Sequence, residues 1–138
     1  MITRIFDKTD ADAVVALWKA CELVVPWNDP YLDIQRKAAE HPELFLVGEL
    51  DGELMATIMG GYEGHRGWIN YMAVAPQYRK QQYGQELIRI MEEKLLALGC
   101  PKINLQVRST NTEVIAFYES AGFSIDNAVS MGKRLIPD

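Results

Sequence analysis

Apolar and polar positions alternate weakly over ITRIF (2–6), as in a strand, and then recur at Val14, Leu17, Trp18 and Cys21, the i, i+3, i+4, i+7 stripe of an amphipathic helix. Thr9 and Asp12 stand ahead of that stripe at capping-box spacing, which predicts the helix start. VPWNDP interrupts the pattern, and Asp29 followed by Pro30 forms an N-cap and first-turn pair for a second helix running to about Glu40. Three apolar, β-branched-rich runs follow, LFLVGEL, LMATIMGGY and GWINYMAV, the first two joined by Asp51-Gly52, a two-residue hairpin signal. They predict an antiparallel meander. Leu87, Met91, Leu95 and Leu98 then mark one face of a helix that Gly99 and Pro101 end, KINLQV (102–107) reads as a strand, and another helix spans about Asn111 to Gly122. FSID and SMGKRL close the pattern as two short strands.

The resulting order, β-α-α-β-β-β-α-β-α-β-β, contains no repeat, no low-complexity tract and no linker, so residues 1–138 are expected to form a single domain of the α/β (α+β) class. Composition agrees: 138 residues with 49% hydrophobic and 24% charged are enough to bury a sizeable core. MITRIFDKTD has neither a basic leader nor an apolar signal core, and no apolar run reaches bilayer length, so no membrane association and a cytoplasmic location are expected. A net charge of −5 speaks against nucleic acid as a partner. Cys21 and Cys100 stand outside any C-x-x-C or Cys/His cluster, so no metal is expected.

The chemistry begins at YRKQQYGQEL (78–87). A strand ending at Val74, a turn at Ala75-Pro76 and a polar loop entering a helix place first-turn N–H groups where they have no intrahelical acceptor. The helix dipole, Arg79 and Lys80 all favour an anion there. Gly84 lies inside the first turn, where glycine costs about 1 kcal/mol relative to alanine. It serves either close approach of a phosphate or tight packing of the helix on a sheet. Neither G-K-[ST] nor the dinucleotide-binding glycine triplet is present.

Two blocks, YMAVAPQYRKQQYGQELI and LQVRSTNTEVIAFYESAGF, resemble the GNAT N-acetyltransferases, and the resemblance extends over nearly the whole chain. PWNDP, GGYEGHRG, GCPKI and GKRLI resemble the YpeA-type bacterial subgroup of that family. The resemblance implies a mixed, mostly antiparallel sheet of six to seven strands, splayed between strands 4 and 5 and flanked by about four helices. It implies acetyl-CoA as donor, with the backbone of Met72, Ala73 and Val74 on the pantetheine arm. Arg79, Lys80, Gln81, Gln82, Tyr83, Gly84 and Gln85 would surround the pyrophosphate, Asn111 would hold the cofactor arm, and Tyr118 would face the sulfur. Gln82 departs from the family pattern, which has glycine there. If the position takes positive φ the glutamine is strained; if it is already helical the substitution costs little.

Thioester aminolysis needs a neutral amine, oxyanion stabilisation and a proton for the leaving thiolate. A phenol, with an ordinary pKa of about 10 against about 8.5 for a thiol, is protonated at neutral pH and suits Tyr118 to the last task. Tyr118 also sits at core spacing beside Phe117, and Asn111 also belongs to a helix start at which Thr110 and Glu113 have capping-box spacing. For the base, Gln106 occupies a position that bears glutamate in related ribosomal-protein acetyltransferases, and an amide takes no proton at neutral pH. Glu63 and His65, after the third strand, are the candidate bases, with a water relay as the alternative. By the same resemblance Trp27, Asn28, Asp29 and Tyr31 line the acceptor groove. The expected partner is a small-molecule or protein amine, and exposed sheet edges are compatible with a homodimer. A coenzyme-binding or interaction module with eroded catalysis is the competing function.

Overall fold

The computed structural model describes residues 1–138, which divide into two compact units, Met1–Leu105 and Gln106–Asp138. No helix is long and apolar enough to cross a membrane. The first unit runs β1 (Ile2–Ile5), α1 (Ala11–Ala20), α2 (Pro30–Ala38), β2 (Phe45–Leu50), β3 (Glu53–Tyr62), β4 (Gly67–Val74), α3 (Tyr83–Ala97) and β5 (Ile103–Asn104). Its five strands lie side by side in sequence order. β1 to β4 are antiparallel neighbours, and β5 joins β4 in parallel.

The local signals explain most of these boundaries. Asp29 accepts a hydrogen bond from the Tyr31 amide at 2.9 Å, with Pro30 at the first helical position. Asp51 (φ +53) and Gly52 (φ +79) take the paired left-handed conformations that a two-residue hairpin demands. α3 ends where Gly99 turns left-handed at φ +88, its amide donating to Leu96 while that of Cys100 donates to Leu95. The start of α1 differs from expectation. Asp7 and Asp10, rather than Thr9 and Asp12, form the capping box, over a 3₁₀ turn at Lys8–Asp10 that runs into the helix. Arg4 selects this arrangement by gripping both Asp10 oxygens at 2.7 and 2.9 Å, which holds the Asp10 carboxyl below the usual carboxylate range.

β3 is buried from Met55 to Gly60, as a strand covered on both faces must be. Thr57 receives the indole N–H of Trp18 from α1 at 2.9 Å. Gly60, of opposite parity, lies against Met91 of α3, where an added Cβ would collide with the methionine side chain. The helices therefore form layers on opposite faces of the sheet. Val14, Val15, Leu17 and Trp18 fill one layer, and Leu87, Ile88, Met91 and Leu95 the other.

Of the run 102–107 only Ile103–Asn104 forms ladder, opposite Gly67–Trp68 of β4. Past Trp68 the outer edge of β4 has no neighbouring strand, which is the expected divergence of strands 4 and 5. The second unit holds α4 (Thr112–Ser120), capped by Asn111 rather than by a Thr110/Glu113 box. Gly122 (φ +98) and Phe123 close it, donating to the carbonyls of Glu119 and Tyr118. FSID and SMGKRL form no strands, so the sheet has five strands and not six or seven. Their alternation is weak, Gly132 interrupts the second run, and Ile125, Met131 and Leu135 stay at least three-quarters exposed. Without a buried face, register is poorly specified and pairing gains little.

Candidate active site

β4 carries an irregularity in its pairing with β3. Thr57 pairs with Ala73 and Met59 with Asn70, so Tyr71 and Met72 together oppose the single residue Ile58. This is a β-bulge, and Tyr71 sits in it at φ +47, a conformation that disfavours an aromatic residue. The Tyr71 carbonyl accepts the Thr57 hydroxyl at 2.8 Å. The bulge bends the strand at Tyr71 and Met72, just ahead of Ala73 and Val74.

After Val74 come a 3₁₀ turn at Pro76–Tyr78 and the basic loop. Arg79 reaches back to the Val74 carbonyl at 3.3 Å. Lys80 (φ +63) and Gln82 (φ +69) are both left-handed, so Gln82 takes the conformation in which glutamine is strained. Gln82 is the N-cap of α3 yet its side chain makes no capping bond, and the Gln82 carbonyl first receives Glu86. The Tyr83 and Gly84 amides consequently have no acceptor within the helix. Arg79, Lys80, Gln81, Gln82 and Gln85 are exposed, Tyr83 is half-buried with its ring edge-on to Tyr78 at 6.3 Å, and Gly84 is buried.

The four residues expected on the acceptor side, Trp27, Asn28, Asp29 and Tyr31, have distinct surroundings. Trp27 is 59% exposed. Asn28 donates to Asp33 at 2.7 Å and to the Tyr71 hydroxyl at 2.8 Å, and Tyr71 in turn donates to the same Asp33 oxygen at 2.6 Å. Asp29 caps α2, and Tyr31 donates to Asp12 at 2.8 Å, a bond that raises its phenol's pKa. Trp18 stacks on Tyr71 with centroids 3.7 Å apart. Burial first, and then the bond to Asp33, push the Tyr71 phenol above its ordinary value. Tyr71 and Asp33 were not among the residues expected from sequence. The only sequence signals were a tyrosine one position before Met72 and a carboxylate in the first turn of α2.

Glu63 and His65 lie in the β3–β4 turn, at the Gly67 end of β4. Glu63 accepts the Arg66 amide, and the His65 carbonyl accepts the Arg66 guanidinium at 2.9 Å. At about 3.3 Å per residue, that turn is roughly 20 Å along the strand from Ala73. The fold does not bring them to Met72–Val74.

In the second unit, the Asn111 side chain accepts the Val114 amide at 3.4 Å. Tyr118 is half-buried between Phe117 and Phe123, with ring centroids at 5.2 and 5.6 Å, and burial pushes its phenol up to about 12. It is therefore a proton donor at neutral pH. Gln106 donates to the Ser130 hydroxyl.

Residues 11–123 match the family model described as the acetyltransferase (GNAT) family. An acetyltransferase of Pectobacterium atrosepticum is 47% identical over 138 residues, covering 100% of this chain and 98% of that protein. The crystal structure of the ribosomal-protein-S18-alanine N-acetyltransferase from Escherichia coli superposes with a TM-score of 0.72 at 23% identity, over 89% of this chain and 77% of that one. Glucosamine-6-phosphate N-acetyltransferase from Arabidopsis thaliana gives a TM-score of 0.71 at 20% identity, over 98% of both chains. Similarity at these last two levels concerns the fold.

Proposed function

The chain belongs to the GNAT acetyltransferase family, and from that premise we propose that it is a cytoplasmic, acetyl-CoA-dependent N-acetyltransferase acting on a primary amine, small-molecule or protein-borne. The observation that carries this reading is the start of α3. Two left-handed residues, Lys80 and Gln82, lead into a helix whose first amides lack both an intrahelical acceptor and a side-chain cap, with Arg79 and Lys80 adjoining. Such a turn suits a diphosphate. Main-chain groups of Met72, Ala73 and Val74 bind the donor's arm, residues 79–85 hold its diphosphate, and Asn111 contacts the arm. The amine attacks the thioester carbon directly. Tyr118, protonated well beyond neutral pH, gives its proton to the departing thiolate. Trp27, Asn28, Asp29 and Tyr31 form the acceptor side.

Titration calorimetry with acetyl-CoA, followed by thiol release on adding a panel of amines, tests the proposal. Binding followed by turnover is expected, and Tyr118→Phe is expected to lower kcat about 100-fold while coenzyme affinity holds. Equal rates in that variant would remove Tyr118 from the chemistry. Two observations favour the competing module: Gln82 is strained at φ +69 and Gln106 offers no base. Binding without turnover, in the wild type and in Gln82→Gly alike, would decide for it.

A further inference from the structure

The carboxylate missing at Gln106 has a counterpart elsewhere in the fold. Asp33 of α2, Asn28 of the preceding loop and Tyr71 of the β4 bulge form a closed triangle of hydrogen bonds of 2.6 to 2.8 Å. A phenol both donates and accepts hydrogen bonds, its oxygen carrying two lone pairs. Tyr71 spends its donor on Asp33 and one acceptor site on Asn28, which leaves one lone pair. The other oxygen of Asp33 approaches only Arg36, at 3.9 Å, too far for a hydrogen bond. The three residues are only half-buried, and Trp27, which precedes Asn28 in the chain, is exposed, so solvent-borne groups have access to them.

Holding α2 onto the sheet would not require this construction. Phenylalanine at position 71 would keep the stacking on Trp18, yet the fold maintains a tyrosine at φ +47 and spends two polar partners on its hydroxyl. Backbone strain combined with a converging polar set is characteristic of working sites.

The geometry points to Tyr71 as the residue that takes the proton from the acceptor amine, with Asp33 as the carboxylate that receives it through Tyr71. The inference rests on the acetyl-transfer reading above. As the amine nitrogen bonds to the acetyl carbon, the C–S bond breaks and its electron pair leaves on sulfur, which is protonated by the acid already proposed. The nitrogen's surplus proton passes to the free lone pair of Tyr71 as the phenolic proton passes to Asp33. Asp33 then holds one proton as a neutral acid and returns it to water, and the acid that protonated the sulfur regains a proton from water. Tyr71 never becomes a phenolate, in keeping with a phenol whose ionisation is disfavoured by burial. Asn28 fixes the orientation of both partners.

The test is a double-variant cycle on the full chain, with acetyl-CoA and an amine that the wild type acetylates. Asp33→Asn keeps the shape and an acceptor for Tyr71, and Tyr71→Phe keeps the ring on Trp18. Each is expected to lower kcat about 100-fold, the magnitude of a lost general base, while KM for acetyl-CoA and calorimetric coenzyme affinity stay at wild-type values. Because the two residues act as one unit, the double variant is expected to be no slower than either single variant. Unchanged kcat, losses that multiply in the double variant, or loss of coenzyme affinity in step with rate would each overturn the relay. Should Asp33→Asn fail to fold, Tyr71→Phe alone decides through its split between kcat and KM. A wild type that binds acetyl-CoA but acetylates no amine would remove the acetyl-transfer reading itself, and the relay with it, an outcome distinct from an active wild type with equally active variants.

Discussion

Gln82 takes φ +69 at the N-cap of α3, where the basic loop enters the helix. A residue with a Cβ there is destabilised by about 1 kcal/mol relative to glycine. Gln82→Gly is accordingly expected to raise the unfolding midpoint by about 4 °C, the shift that about 1 kcal/mol produces in a chain of this size. Coenzyme affinity, measured by calorimetry in the same variant, is expected to rise as well, since a relaxed loop adapts to the diphosphate with less distortion. The identity of this departure was legible in the sequence, but its sign was not. Whether glutamine is strained depends on a backbone angle, and YRKQQYGQEL does not specify one. The Tyr71, Asp33 and Asn28 triangle lay further out of reach, because two of its three bonds join residues 38 and 43 positions apart.

Among the elements, those with local punctuation were the most legible. Asp29-Pro30, Asp51-Gly52 and Gly99 each act through one or two residues, and each does in the structure what its chemistry requires. The bulge in β4 leaves no such mark, since INYMAV alternates as well with it as without it. The final two strands were over-read for the converse reason: β-like composition without a face to bury does not make a ladder. For α2 the cap offers a clear experiment. Asp29→Ala removes the acceptor of the Tyr31 amide and is expected to cost about 1 kcal/mol in denaturant unfolding. Asp29→Ser is expected to restore most of it, because serine offers an oxygen at the same place.

Across the whole molecule, each of the two units carries a tyrosine whose phenol is harder to ionise folded than unfolded, Tyr71 in the first and Tyr118 in the second. Unfolded, both release their protons near the ordinary value of 10; folded, Tyr118 holds its proton to about 12. In that window the native state binds more protons than the unfolded state, so stability falls as pH rises, and below about 10 neither group contributes any slope. Denaturant midpoints are expected to drop steeply from pH 10 towards 12 in the wild type, and less steeply in Tyr118→Phe and Tyr71→Phe. A slope unchanged in both variants would mean that other groups govern alkaline unfolding.

The three tryptophans are unequal: Trp18 is fully buried against the Tyr71 ring, while Trp27 and Trp68 are 59% and 36% exposed. An aqueous quencher such as iodide therefore silences the outer pair first, and the residual, blue-shifted emission belongs to the indole in contact with the bulge. Native fluorescence thus gives a label-free view of that contact, in which any molecule that displaces the tyrosine ring changes the colour or lifetime of one identifiable chromophore.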